Sequence, residues 1–143
     1  MEDGIFSTTG RIRRSTYLLR WACIKIPHWI IKITLAAFIF GLVIDPYIME
    51  ANMTIFIIAA LLYIFVYIIQ LILLLPQIVK RLHDMNQSGW LALLILLGWI
   101  PYIGLVFNLI FFLFLIAVDG TIGENQYGED PKQRVPYTRL ETN

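Results

Sequence analysis

Arg81, His83 and Asp84 are the side chains of this sequence best suited to chemistry, in the stretch Lys80-Arg81-Leu82-His83-Asp84. His83 offers a general base or a ligand for a lipid headgroup, and Arg81 a guanidinium that can grip a phosphate through two parallel hydrogen bonds. Adjacent residues on a helix point about 100° apart, so His83 and Asp84 need not touch. Lys80 and Arg81 lie one turn before Asp84 and can pair with it on one face. A plainer reading competes: a solvated helix end, where His83 meets the negative end of the helix dipole. Ser88-Gly89-Trp90 needs no chemistry. Ser88 can cap the next helix, Gly89 permits close backbone approach, and Trp90 suits a membrane interface. No residue is assigned a catalytic or metal-binding role, and no cofactor is expected.

The elements that hold these residues are unusually apolar. Of 143 residues, 59% are hydrophobic and 15% charged. A soluble domain carries about 25% charge, so the composition points to an integral membrane protein of one domain. The formal net charge of +1 argues against nucleic-acid binding. One cysteine, Cys23, excludes an internal disulfide and a cysteine metal cluster. The N-terminus lacks a clear cleavage site after its apolar run and is expected to be retained.

The expected fold is all-α, with three to four apolar helical segments and an N-terminal interfacial amphipathic helix. Residues 11–26 interleave Arg11, Arg13, Arg14, Arg20 and Lys25 with Tyr17, Leu18, Leu19, Trp21 and Ile24, as a helix lying on a membrane surface would. Pro27 should break or kink it. A first span is expected over 28–45 and a second, free of charge, over 54–76. Gln70 is the strongly polar side chain within that second span and is expected to bond a neighbouring helix. The apolar stretch after Ser88 is too long for one upright helix, and Pro101 and Gly104 interrupt it. A hairpin of two short arms, 90–100 and 103–118, is the expectation; a single tilted helix is the alternative. The domain thus covers 1–131, with a polar tail over 132–143.

Residues 1–32 hold six Lys and Arg, the 45–53 loop none and the 80–84 stretch two. Basic residues near span ends favour the cytoplasm. The N-terminus and the 80–84 stretch are therefore expected inside, and the hairpin brings the C-terminus inside as well.

Three motifs occur in order: GRIRRSTY at 10–17, RLHD followed by SGW at 81–90, and DGTIGENQYGEDP at 119–131. As a set they resemble the bacterial inner-membrane family of domain of unknown function 805. Gly10, Arg11, Ile12, Arg14 and Tyr17 match its first motif. Arg81, Leu82, His83, Asp84, Ser88, Gly89 and Trp90 match the second. Gly120, Thr121, Gly123, Asn125, Tyr127, Gly128, Asp130 and Pro131 match the third. Leu18, Leu91, Asp119 and Gln126 depart from the family pattern. The resemblance implies a multi-pass fold and an inner-membrane location, and no reaction.

The functional expectation is a non-enzymatic scaffold or oligomeric membrane component. Its partners would be the bilayer, including anionic phospholipid headgroups, and a second copy or another membrane protein. The alternatives are a protein that binds or modifies phospholipid headgroups through Arg81, His83 and Asp84, and a small channel or transporter. If the tail is cytoplasmic, the three motifs share one membrane face. Arg14 or Arg81 should then meet an acid such as Asp84 or Asp119.

Overall fold

The computed structural model describes residues 4–44, 53–100 and 103–134. The expected 45–52 loop, the break at Pro101 and the tail beyond Arg134 lie outside the described residues. Among the described residues there are four helices: α1 (Arg14–Ile44), α2 (Met53–Asp84), a 3-10 helix (Gly89–Trp99) and α3 (Ile103–Ala117). Among the described residues there is no strand, only an isolated bridge between Asn125 and Gly128. Residues 14–41 and 53–84 are each long and apolar enough to cross a membrane. The architecture is all-α and integral to the membrane.

The expected boundary at Pro27 is absent. The interfacial stretch and the first span form one helix that passes through Pro27, as α2 passes through Pro76. Proline removes one backbone donor. In hydrocarbon a broken helix would expose several more unpaired groups, so continuing is the cheaper course.

The chain divides into two compact units, Ala22–Leu73 and the remainder. In the first, Ile30, Phe40, Leu61 and Phe65 are exposed, as side chains facing lipid would be. His28, Gln70 and Ala59 are buried there, and the His28 ring meets Tyr67 edge-on at 6.2 Å.

The second unit contains the motifs. Its core joins Ile12 and Tyr17 to Leu74, Ile78 and Leu82 of α2, Ala92 of the 3-10 helix, and Phe111 and Leu115 of α3. Trp21 packs on Phe112 with ring centroids 4.4 Å apart. Eleven residues of 3-10 helix are unusual, since such runs rarely pass four residues. Length gives a reason. At about 2.0 Å per residue the 3-10 arm reaches roughly 22 Å, and the 15 residues of α3 reach roughly 22 Å at 1.5 Å per residue. An α-helical first arm would span only about 16 Å and leave the arms mismatched.

A 3-10 helix stacks residues three apart. Gly89, Ala92, Ile95 and Gly98 therefore form one edge, while Trp90, Leu93 and Leu96 form an exposed edge. The small edge allows close approach. A side chain on Gly104 would collide with the Gly98 backbone, and one on Gly98 with the Asn108 amide. Ser88 caps the arm by accepting the Trp90 N–H at 3.4 Å.

Candidate functional site

The last turns of α2 carry Gln77, Lys80, Arg81 and Asp84 at positions i, i+3, i+4 and i+7, one face of a helix. All four are buried. Such residues are almost never fully buried unless paired, and the surrounding chain supplies the partners. Gln77 donates to the Ile5 carbonyl at 2.6 Å and accepts from Arg20 at 2.9 Å. Lys80 donates to the Gly4 carbonyl at 2.9 Å.

Asp84 is the centre. Its Oδ1 accepts from Arg11 Nε at 3.2 Å, with Arg11 Nη2 also 3.2 Å away, and its Oδ2 pairs with Arg81 Nη1. The side chains of Arg11, Arg81 and Asp84 are 1%, 0% and 4% exposed. Both guanidiniums spend their other donors on backbone carbonyls. Arg11 reaches Thr121 at 2.6 Å, Gly123 at 2.7 Å and Gly128 at 3.1 Å. Arg81 reaches Leu115 at 2.7 Å and Val118. The last carbonyls of a helix lack intrahelical partners and carry the negative end of its dipole. Arg81 therefore fastens the end of α3 to the end of α2.

The same logic closes α2. Asn86 takes the left-handed conformation, φ 57°, just past the helix. The Gln87 N–H bonds the Leu82 carbonyl at 2.9 Å and the Asn86 N–H the His83 carbonyl at 3.0 Å, the two bonds of a Schellman cap. The third motif covers what remains. Thr121 bonds the Asp84 carbonyl through its N–H at 2.8 Å and its hydroxyl at 3.1 Å. Asn125 donates to the His83 carbonyl and to the Thr121 hydroxyl, both at 2.9 Å. Asn125 also accepts the Tyr127 N–H at 2.9 Å, which shapes the turn ending at Gly128, φ 128°.

The structure thus brings all three motifs into one unit. Arg14 pairs with Asp119 at 2.9 Å and reaches the Ala117 carbonyl at 3.4 Å. Tyr17 lies in the core. Gly10, φ 83°, presents its carbonyl to His83. Gly89 packs against His83 and Val79, and Trp90 is exposed. Gly120 abuts the Asp84 carboxylate.

His83 and Asp84 form no joint acid–base device. Among the described residues no hydrogen bond links them. Asp84 faces the two arginines, whereas the His83 ring stacks on Tyr127, with centroids 3.8 Å apart and planes 5° from parallel. Nor do three His, Cys, Asp or Glu side chains converge among the described residues. The arrangement crosslinks elements electrostatically.

Sequence reasoning missed Gln77, Arg20 and Arg134. The i, i+3, i+4, i+7 spacing of Gln77 with Lys80, Arg81 and Asp84 was a usable signal. Arg134, placed in the polar tail, instead holds Asp130. Its Nε is 2.8 Å from Oδ2, and its Nη2 reaches the Gly120 and Thr121 carbonyls at 3.1 Å. Burial alone would push the Asp130 carboxyl up. Hydrogen bonds from Arg134, the Lys132 N–H and the Gly123 N–H outweigh it and hold the carboxyl well below the usual carboxylate range.

A carboxyl depressed in the folded state stabilises fully above its unfolded value, about 3.9, and loses that contribution as pH falls further. Melting profiles of wild type and Asp130→Asn should therefore differ most near neutral pH. The gap should begin to narrow as pH falls below about 5 and keep narrowing below about 3, since it closes only when pH passes the depressed folded-state value. A gap that stays constant over this range would refute the assignment.

The profile of the family described as "Protein of unknown function (DUF805)" matches residues 5–129. This chain is 44% identical over 54 residues to "Inner membrane protein YhaI" of Escherichia coli K12, covering 38% of this chain and 40% of that protein. It is 45% identical over 53 residues to "Inner membrane protein YhaH" of the same strain, covering 37% and 38%. The aligned stretches thus span about two fifths of these relatives' lengths. No solved structure matches significantly.

Proposed function

We propose, taking as premise that this chain belongs to the DUF805 family of proteins of unknown function, that it is a non-catalytic, multi-pass component of a bacterial inner membrane, and that its motif residues act as a clamp. One observation carries the reading. Asp84, Arg11 and Arg81 are buried together, and the two guanidiniums bond five backbone carbonyls at the end of α3 and in the third motif. A catalytic site needs groups left free for a substrate. Here Arg81 and Asp84 are engaged with each other and with the chain. The names of the relatives support the inner membrane as the location.

Length and charge support a position for the clamp. The 32 residues of α2 extend roughly 48 Å, against a hydrocarbon thickness of about 30 Å. One end must project, and Gln77 to Asp84 is the polar end. The excess of Lys and Arg before the first span supports a cytoplasmic position for that end. The hairpin arms, roughly 22 Å each, are too short to cross, so they enter the membrane and return. Such a platform, with an apolar hairpin held rigidly at its base, suits a scaffold or an oligomeric assembly.

Topology mapping tests this. A compartment-sensitive reporter fused after Asn143 should report the cytoplasm, as should one at the N-terminus. An external C-terminus would mean that the hairpin crosses, and the reading would fail.

A further inference from the structure

Beside the clamp lies a cavity of about 500 Å³ that the clamp does not use. Thr16 and Arg20 line it from the start of α1 and Arg13 from the residue just before that helix, with Arg11, Ile12, the Gly4–Ile5 segment and Pro131 as the remaining walls. We infer that this cavity binds the phosphate of an anionic phospholipid headgroup.

The electrostatics are one-sided. Among the described residues three guanidiniums and one hydroxyl line the cavity, and no acid does. Arg11 is committed to Asp84 and to backbone carbonyls. The other two keep donors in hand. Among the described residues Arg13 uses only Nε, on the Pro131 carbonyl at 2.6 Å, and Arg20 only one Nη, on Gln77 at 2.9 Å. Arg13 precedes α1, but its carbonyl accepts the Tyr17 N–H at 2.9 Å, so positions 13, 16 and 20, spaced by three and four, lie along one side of the helix start. A guanidinium fork matches phosphate oxygens in pairs, and a threonine hydroxyl can donate to a third oxygen. Both arginines are held by a single bond each, which orients them without consuming them.

The surroundings select a lipid over free phosphate. Ile5, which lines the cavity, is exposed, as are Phe6 and Leu19, the sequence neighbours of the lining residues Ile5 and Arg20. A soluble anion gains nothing from that apolar rim, whereas a headgroup brings acyl chains to cover it. α1 is also one of the two helices able to cross a membrane, and the cavity sits at its first turns. The inference takes from the proposed reading only that α1 starts at a membrane face. It does not depend on which face, or on the clamp being structural.

Native mass spectrometry of the full chain in detergent, titrated with defined lipids, tests it. Phosphatidylglycerol should be retained roughly tenfold better than zwitterionic phosphatidylcholine, which offers the same phosphate but brings a choline cation that the two arginines repel. In Arg13→Gln/Arg20→Gln the two lipids should bind alike, whereas Lys132→Gln, the loss of one positive charge elsewhere, should keep the preference. Equal binding of both lipids by the wild type would overturn the assignment. So would a preference surviving in the double variant, or inorganic phosphate binding as well as phosphatidylglycerol. Should losing the Arg20–Gln77 bond unfold the double variant, Arg13→Gln alone decides. Arg13 is exposed, and its loss should weaken the preference several-fold; an unchanged preference would overturn the site.

Discussion

Asp84→Ala should be the most damaging single substitution in this protein, costing about 3–5 kcal/mol, the scale for stripping one partner from a buried ion pair. Asp84 is the shared acceptor of Arg11 and Arg81, whose side chains are 1% and 0% exposed. Removing it strands two like charges in a low-dielectric interior. Their other bonds, to the carbonyls of Leu115, Val118, Thr121, Gly123 and Gly128, cannot offset that repulsion. Arg81→Ala should cost somewhat less, because Asp84 keeps Arg11, although the end of α3 loses its donors. The exposed pair is the contrast. Arg14 and Asp119 are 41% and 63% exposed, and surface pairs contribute about 0–1 kcal/mol. Lys132, 3.7 Å from Asp119, belongs with them.

Melting of the detergent-solubilised variants gives the order. Asp84→Ala should lose the most, Arg81→Ala next, and Arg14→Ala and Lys132→Ala little. Trp21, packed on Phe112, supplies a fluorescence signal within the same unit. Equal losses for Arg81→Ala and Lys132→Ala would dispose of the clamp. The comparison bears on function as well as stability, since a substrate site can lose its charged residues without unfolding the protein around it.

Much of this architecture could be read from the residues, because hydrophobic runs and prolines act locally. The charge-free run from Thr54 to Pro76 marks its own helix, and the interruption near Pro101 and Gly104 marks the hairpin. The 3-10 winding of the first arm was harder to foresee. GWLALLILLGW is apolar all round, so no moment distinguishes one helical period from another. The three-residue spacing of Gly89, Ala92, Ile95 and Gly98 did hold the signal, once the arm length is known. Of the break or kink expected at Pro27, a break does not occur, because a proline's local penalty is small beside the cost of opening a helix in lipid.

The site was legible as a set of residues and less so as a set of bonds. A cytoplasmic tail puts the three polar segments on one membrane face, and Arg14 does meet Asp119. Arg11 was not singled out as the bridge to Asp84. Nothing in the spacing of residues 11 and 84 specifies that bond; it follows from the tertiary fold. Arg134 was hidden for a different reason. A run of polar residues with Gly and Pro looks alike whether it is solvated or wrapped around a buried carboxylate, and Asp130 decides which.

Gly120→Ala tests the tightest point of this packing with one added carbon. Its Cβ would fall on the Asp84 carboxylate. A flexible side chain could swing aside, but this one is pinned by Arg11 and Arg81, and the adjacent Thr121 N–H is bonded to the Asp84 carbonyl at 2.8 Å. The 119–121 backbone must retreat, lengthening the bonds that Thr121 makes to the end of α2. Overpacking costs about 1–3 kcal/mol on its own, and loosening a buried charged pair adds to it, so the loss should approach that of Arg81→Ala. Gly41→Ala is the control. A Cβ there meets nothing within 4 Å, and inside a helix alanine is favoured over glycine by about 1 kcal/mol. Gly41→Ala should therefore leave the melting temperature level or raise it, while Gly120→Ala lowers it sharply. If the two variants melt alike, Asp84 is free to move, and the buried network is too loose to clamp anything.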